Sequence, residues 1–273
     1  AAGQTSAFNA GAIINGNFTY TNNTAGETGF GNLLYKTSIG GTINITANFT
    51  SPNNFGIHRL VNQTNGGSIT VTNSRGFSVQ NDTLLLTAMN INGYRGGQYG
   101  YLYNNDITGN VNIDNDVSYS GGYYTYLRSN IINRNTSIAN TGSNVLFDAD
   151  QAGTGNKYLG NVTYIKTGAG VIVGAGDIVE ISGNLTLSST DGIGLGKIKF
   201  NGSSGSAIEQ LSTQPVNIAE LIIDKTAGGT VTLNDSVGIN TSTGFINGII
   251  NSSTTKELIF LDNAGYTGAS NTS

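Results

Sequence analysis

Cysteine and tryptophan are absent from this chain, histidine and methionine occur once each, and proline occurs twice in 273 residues. Without cysteine, neither disulfides nor a thiolate metal site can hold the fold. With His58 alone in FGIHRL, no histidine pair can complete a ligand set. So few prolines let interior strands donate their full rows of backbone N–H groups. Charge is scarce as well: Asp, Glu, Lys and Arg make up 10% of the chain, against roughly 25% in an ordinary soluble domain. The net charge of −4 leaves no basic footprint for nucleic acid. No apolar run reaches the about 18 residues of a membrane helix. The opening AAGQTSAFNAGAII lacks the basic start and apolar stretch of a signal peptide. A chain that starts after signal cleavage would look the same, and a lack of cysteine fits exposure outside a cell.

What is present favours strands and turns. There are 40 glycines, and Asn, Thr and Ser fill the places that Lys, Glu, Leu and Ala usually take, so helix formers are few. Val, Ile, Leu, Phe and Tyr recur throughout, a regular apolar supply that a disordered chain lacks. One pattern returns along the chain: glycine, a small polar residue, then alternating apolar and polar positions. It reads GTINITANF from Gly41, GSITVTNSRGF from Gly67, GNVNIDNDVSY from Gly109, GNVTYIKTGAG from Gly160, GNLTLSSTDGI from Gly183 and GTVTLNDSVGI from Gly229. Imperfect copies at Asn81, Asn135 and Ala219 fall near the midpoints of the longer intervals, so the underlying period is about 21–26 residues.

Two or three short strands per unit cannot bury an apolar face alone, whereas stacked units share one continuous core. The expected fold is therefore an all-β, right-handed parallel β-helix of about 10–12 turns over residues 1–273, about 50–60 Å long at roughly 4.8 Å per stacked strand. A β-sandwich, or a pair of them, is the alternative. INTSTGFINGIIN is expected to turn a corner, glycine accommodating positive φ there and Asn tolerating it. Asparagines are expected to stack in ladders between turns.

Residues 94–126 depart from the pattern. They hold eight of the thirteen tyrosines, interleaved with glycine. Tyr94, Arg95, Tyr99, Tyr101, Tyr103, Tyr123, Tyr124 and Tyr126, with Arg128 nearby, form the best binding candidate, because tyrosine offers flat apolar area and a hydroxyl for sugars or proteins. The plainer reading is a structural sheet face or a rod-to-rod packing surface. Asp114 with Asp116, and Asp148 with Asp150, have the strand spacing that puts paired carboxylates on one face, suited to calcium or to acid and base work on sugars. As ordinary solvated residues at a strand edge they need no such role. His58 has no GxSxG elbow to serve, and GAGVIVGAG and GIGLGKIKF lack the GKS or GKT ending of a phosphate loop and read as turns. Asn-x-Ser/Thr occurs at Asn17, Asn44, Asn48, Asn62, Asn161, Asn184 and Asn234, mostly as chance would supply in so Asn- and Thr-rich a chain. Partial threonine rows in TINIT, SITVT and NVTYI raise ice binding, but unequal turn lengths are expected to misalign them. No cofactor and no metal site is indicated.

The stretch from Gly183 to Leu187, with Lys199 to Gly202, Gln210, Leu221 to Asp224 and Gly228 to Leu233, resembles the β-helical regions of bacterial cell-surface proteins, above all the repeat-rich cargo of the type IX secretion system that includes gliding adhesins. The likeness is clear over 160–265 and weaker before 130. It implies passage through a secretion machinery, display on or release from the outer surface, and a place within a longer protein whose sorting domain is not in view. It also implies O-glycosylation at Asp-Ser/Thr-apolar sites, which Thr83 and Ser236 match. The function expected first is a non-catalytic stalk or fibre segment. Its partners would be surface glycans, other cell-surface proteins or further copies end to end, and neither nucleic acid nor a membrane. The alternative is a polysaccharide-binding or polysaccharide-degrading β-helix, with Asp114, Asp116, Asp148, Asp150 and Arg128 as candidates, although the GHG and RIK motifs of pectin hydrolases are missing.

Overall fold

The computed structural model describes the chain except for residues 1–5, 9–11, 23–31, 48–53, 59–60, 73–75, 93–99, 116–123, 143–144, 149–154, 168–170, 175–176, 191–192, 212–215 and 269–273. Among the described residues it is all-β apart from one 3-10 turn, Thr226–Gly228. Its strands pair in parallel with strands of the next turn, and the chain is a parallel β-solenoid.

One rung shows the plan. Tyr124–Arg128 lies in a first wall, Ile131–Ile132 in a second and Thr136–Asn140 in a third. The first stacks between Gly100–Tyr103 and Val145–Asp148. The second stacks between Asp106–Ile107 and Lys157–Tyr158, and the third between Asn110–Asn115 and Val162–Lys166. First-wall strands from Ser6–Phe8 to Val171–Gly174 make one sheet of eight. The coil then continues through the long strands Ile193–Phe200, Val216–Asp224 and Val237–Asn247, whose N-terminal residues carry on the first wall and whose later residues build the second.

Alternation makes the core. Along Asn110–Asn115 and Thr136–Asn140 every second side chain is buried. Register stacks these inward residues into columns: Ile43, Ile69, Met89, Val111 and, beyond Thr136, Val162 and Leu185 on the third wall. On the second wall Ile107, Ile132, Tyr158, Ile181, Phe200 and Ile223 do the same. Each fully buried aliphatic side chain contributes about 1.5–3 kcal/mol, and almost all of that is available only when rungs lie above and below.

The unequal spacing of the repeats is absorbed at the corners: between Asp148 and Lys157, between Asn62 and Ile69, and above all between third-wall and first-wall strands. That interval runs from Asn92 to Gly100 in one rung and from Asn140 to Val145 in the next but one. The outer positions of the third wall therefore stay in line: Thr19, Asn44, Thr70, Asn90, Asn112 and Ser137 follow one another in register, then Thr163 and Thr186. The expected misalignment of TINIT, SITVT and NVTYI does not occur, because the extra residues, including the register shifts between Leu84 and Ala88, fall before the paired outer positions.

The corner between first and second walls has its own code. Lys36, Asn81, Asn104 and Ser129 all adopt positive φ, between 50° and 58°. The residue after each, Thr37, Asp82, Asn105 and Asn130, is buried. Asn105 and Asn130 continue into Asn156 as a ladder. Each ladder oxygen takes the backbone N–H of the previous rung: Asp82 to Asn105 at 3.0 Å, Asn105 to Asn130 at 3.2 Å and Asn130 to Asn156 at 2.9 Å. Each amide nitrogen donates to a first-wall carbonyl, as Asn130 does to Leu102 at 2.8 Å. Buried backbone groups that the bend takes out of the sheet thus keep partners.

At the corner between second and third walls the Gly-Asn pairs of the repeat appear. Their glycines, Gly109, Gly160 and Gly183, are not at positive φ. They are required by contact: a Cβ on Gly183 would stand 2.5 Å from the Gly160 carbonyl oxygen. INTSTGFINGIIN is likewise mostly strand, and only Gly248, at φ +102°, makes its corner. GIGLGKIKF is strand over Ile193–Phe200 rather than a turn. Further along this corner Lys225 is fully buried, its Nζ donating to the Ser206 hydroxyl at 2.6 Å and the Asn201 carbonyl at 2.7 Å. Burial lowers its pKa from the ordinary lysine value.

Asn130 sits in the middle of the buried ladder. Replacing it by alanine orphans the Leu102 carbonyl and the Asn105 backbone N–H. At about 1–3 kcal/mol per buried unsatisfied group, Asn130→Ala is expected to destabilise the solenoid by about 2–4 kcal/mol in urea titrations followed by circular dichroism. The outward Ser137→Ala should stay within about 0.5 kcal/mol. Equal midpoints for the two variants would remove the ladder from the account.

Candidate functional site

The tyrosine-rich segment contributes two strands to the first wall, Gly100–Tyr103 and the start of Tyr124–Arg128. Gly100–Tyr103 lies between Gly76–Gln80 and Tyr124–Arg128. Leu102 and Leu127 point inward and are buried, so Tyr101, Tyr103, Tyr126 and Arg128 fall on the outer face. Gly100 belongs to the inner surface: a Cβ there would stand 2.8 Å from the Phe77 ring, and its absence lets Phe77 fill the core.

Register aligns Tyr101 with Tyr126 and Tyr103 with Arg128. The Tyr101 and Tyr126 rings stack at 5.5 Å between centroids with planes 13° apart, a spacing set by the roughly 4.8 Å between strands. The Arg128 guanidinium carbon stands 4.4 Å from the Tyr126 ring centroid. Such a cation–π contact contributes about 0.5–1 kcal/mol at an exposed site. Tyr103 is 40% exposed. The result is a platform of flat aromatic faces with a fixed cation and phenol hydroxyls at its edge. It can stack on the C–H face of a sugar ring and hydrogen-bond its hydroxyls, or accept an apolar protein side chain. Tyr94, Arg95, Tyr99 and Tyr123 lie outside the described residues, and for Tyr124 only the strand position is described.

Of the acidic pairs only Asp114 and Asp148 lie among the described residues, and they stand on different walls. Asp114 is half-buried on the third wall and accepts from the Thr141 hydroxyl at 3.0 Å. Asp148 is not a surface carboxylate at all but is 1% exposed in the core. Its two candidate companions, Asp116 and Asp150, lie outside the described residues. Asp148, on the first wall, meets Tyr158 from the second and Tyr164 from the third within a single rung. Tyr158 donates to it at 3.0 Å, and Tyr164 and the Asn156 amide donate as well. Burial, reinforced by the Asp148 charge, pushes both phenols well above 10. This group closes the Asn105–Asn130–Asn156 ladder and plugs the core with hydrogen bonds where the aliphatic column Val79, Leu102, Leu127 ends. Sequence reasoning missed it because the three residues meet only when the rung closes.

His58 lies in the column of Tyr35, Gln80, Tyr103 and Arg128 by register. Among the described residues no three His, Asp or Glu side chains gather as metal ligands. Thr83 is exposed beside buried Asp82, whose backbone N–H donates to the ladder. Ser236 is half-buried, and its hydroxyl oxygen accepts the Glu257 N–H at 3.1 Å. Its neighbour Asp235 pairs with Lys256 at 2.6 Å, which holds that carboxyl below the usual range. In both sequons the acidic residue joins adjacent rungs.

No protein-family model, no curated protein and no solved structure matched the chain.

The buried phenols make stability depend on alkaline pH. Their folded pKa values lie above the ordinary 10.0, so above pH 10 the unfolded chain releases protons that the folded chain keeps. Their contribution is complete below that point and is lost as pH rises through the folded values. Thermal midpoints are expected to fall progressively above pH 10, and Tyr158→Phe should soften that fall while lowering the midpoint at pH 7. An alkaline slope identical in Tyr158→Phe and the parent would refute the assignment.

Proposed function

We propose that this solenoid is a rigid, non-catalytic stalk or fibre segment of a bacterial surface protein, an adhesin-like type IX secretion substrate, whose first-wall tyrosines contact surface glycans or other cell-surface proteins. The observation that carries this reading is the division of the molecule into a continuous core and a patterned exterior. Inward columns carry the core from rung to rung, with polar members only at places such as Thr136 and Asp148, while Tyr101, Tyr103, Tyr126 and Arg128 present recognition chemistry on an outer wall. Stacked identical turns suit projection over distance. The sequence resemblance over 160–265 supports export and surface display.

A glycan array probed with the intact chain, beside electron microscopy for rods, tests the proposal. Retention of a defined glycan class is expected, with Tyr126→Ala lowering affinity about tenfold, the loss of roughly 1.4 kcal/mol. The polysaccharide panel is also assayed for new reducing ends and unsaturated products. Cleavage by the parent that disappears in Asp116→Ala would replace the stalk reading by the enzymatic one, and absence of glycan and cell-surface binding would remove the adhesive part.

A further inference from the structure

The third wall carries a second exterior feature, on another face from the tyrosines. Asn110, Asn135, Asn161 and Asn184 stand one above another at the Gly-Asn corner. The carbonyl oxygen of each accepts the backbone N–H of the following rung: Asn135 to Asn110 at 3.1 Å, Asn161 to Asn135 at 3.1 Å, Asn184 to Asn161 at 2.9 Å and Ala207 to Asn184 at 2.9 Å. With the oxygen so engaged, each side chain is fixed in orientation and turns its amide –NH2 to the outside. Four oriented donors therefore repeat at rung spacing, roughly 4.8 Å.

Beside this rail runs the outward column Asn112, Ser137, Thr163 and Thr186, aligned by strand register. The two rows enclose an open groove of about 380 Å³. Its lining is entirely Asn, Ser and Thr, without a charged or aromatic side chain. A second cleft, of about 490 Å³, lies on the other side of the rail and shares Asn135, Asn161 and Asn184.

We infer that the third-wall groove binds a neutral polysaccharide chain laid along the solenoid axis. Three properties of the groove select that ligand class. Fixed amide donors on one side and hydroxyl or amide groups on the other match a polymer that carries both acceptors and donors at every residue. The absence of charge from the lining gives no counter-ion for a uronate, sulfate or phosphate, which would lose hydration without compensation. The donors repeat at a distance close to the advance of one residue in an extended β-linked glycan, so one chain can meet successive rungs in the same way. The raised asparagine rail makes the surface concave, which suits a polymer strand and not the flat face of ice. This site is independent of the tyrosine platform.

Affinity electrophoresis and calorimetry of the intact chain with cellohexaose, xylohexaose, mannohexaose and laminarihexaose test it, with polygalacturonate and a sulfated glycan as acidic arms. The variant Ser137→Ala/Thr163→Val/Thr186→Val removes the groove hydroxyls while keeping strand-forming shapes. At least one neutral oligosaccharide is expected to bind, with affinity lost by about tenfold or more in the triple variant and unchanged in Glu257→Gln, an exposed position outside the groove. A circular-dichroism melt confirms that the triple variant is folded, and the bulkier Thr163→Arg, which fills the groove from a single position, provides the second variant. Binding confined to acidic glycans, no binding to any neutral probe, or equal binding by parent and both groove variants overturns the inference. Loss of binding in Tyr126→Ala alone would locate recognition on the platform and also overturn it.

Discussion

Register between successive turns is the constraint from which the rest of this structure follows. Parallel pairing holds each residue over its counterpart about one rung away, and side chains alternate between core and solvent along every strand. A slip of one residue would turn a whole column inside out. An extra residue within a paired strand therefore has to be taken up by a local register shift, as between Leu84 and Ala88 and between Ile223 and Asp224. Most extra residues sit at the corners, above all between third and first walls, where the chain spans a variable interval without touching the pairing. Where the other two corners keep their short form, the bend is tight and the backbone groups it frees lie near the core.

Those corners show why so polar a chain can be so well packed. Asparagine is neutral, short and able to donate and accept at once. At the first corner it is buried and closes the circuit of backbone hydrogen bonds from rung to rung. At the second it is exposed, yet it still takes the next rung's N–H. A charged residue at these positions would face its own copy directly above and below, a repulsion that grows with every added turn. Scarcity of charge is thus a consequence of stacking. Where charge does enter the columns, it is matched across rungs, as in Lys199 with Asp224 and Lys256 with Asp235.

How far the sequence disclosed this depends on the range of the interaction. The solenoid and its inward residues were legible because alternation and period are local and repeat many times. The Gly-Asn signature was legible as a pattern, but its cause was not: Gly183 is demanded by the carbonyl of Gly160, a whole rung earlier. The tyrosine platform was half legible. Tyr101 and Tyr126, like Tyr103 and Arg128, are separated by one rung, so a rung-length comparison finds both pairs once the register is known. Asp148, Tyr158 and Tyr164 were not legible, because no periodicity links residues that approach from three different walls. The strand-like spacing of Asp148 from Asp150 made Asp148 look like a surface residue, and its burial in the core reversed that reading.

The same constraint shapes what the exterior can recognise. Any side chain placed outward on one wall acquires neighbours at fixed spacing above and below, so a solenoid surface is a linear array before it is a pocket. Arrays favour ligands that are themselves periodic or flat. On the first wall the array is aromatic and short, with Tyr101 over Tyr126 in one column and Tyr103 over Arg128 in the next. On the third it is uncharged and long, with the amides already oriented by the fold. Because that orientation is set by hydrogen bonds the folded chain must make anyway, the donors are ordered before any ligand arrives, and the entropy normally lost in fixing polar side chains on binding is largely avoided. Recognition at the third wall is therefore an extension of the ladder that holds the turns together, and a substitution that loosens the stacking should loosen the array with it.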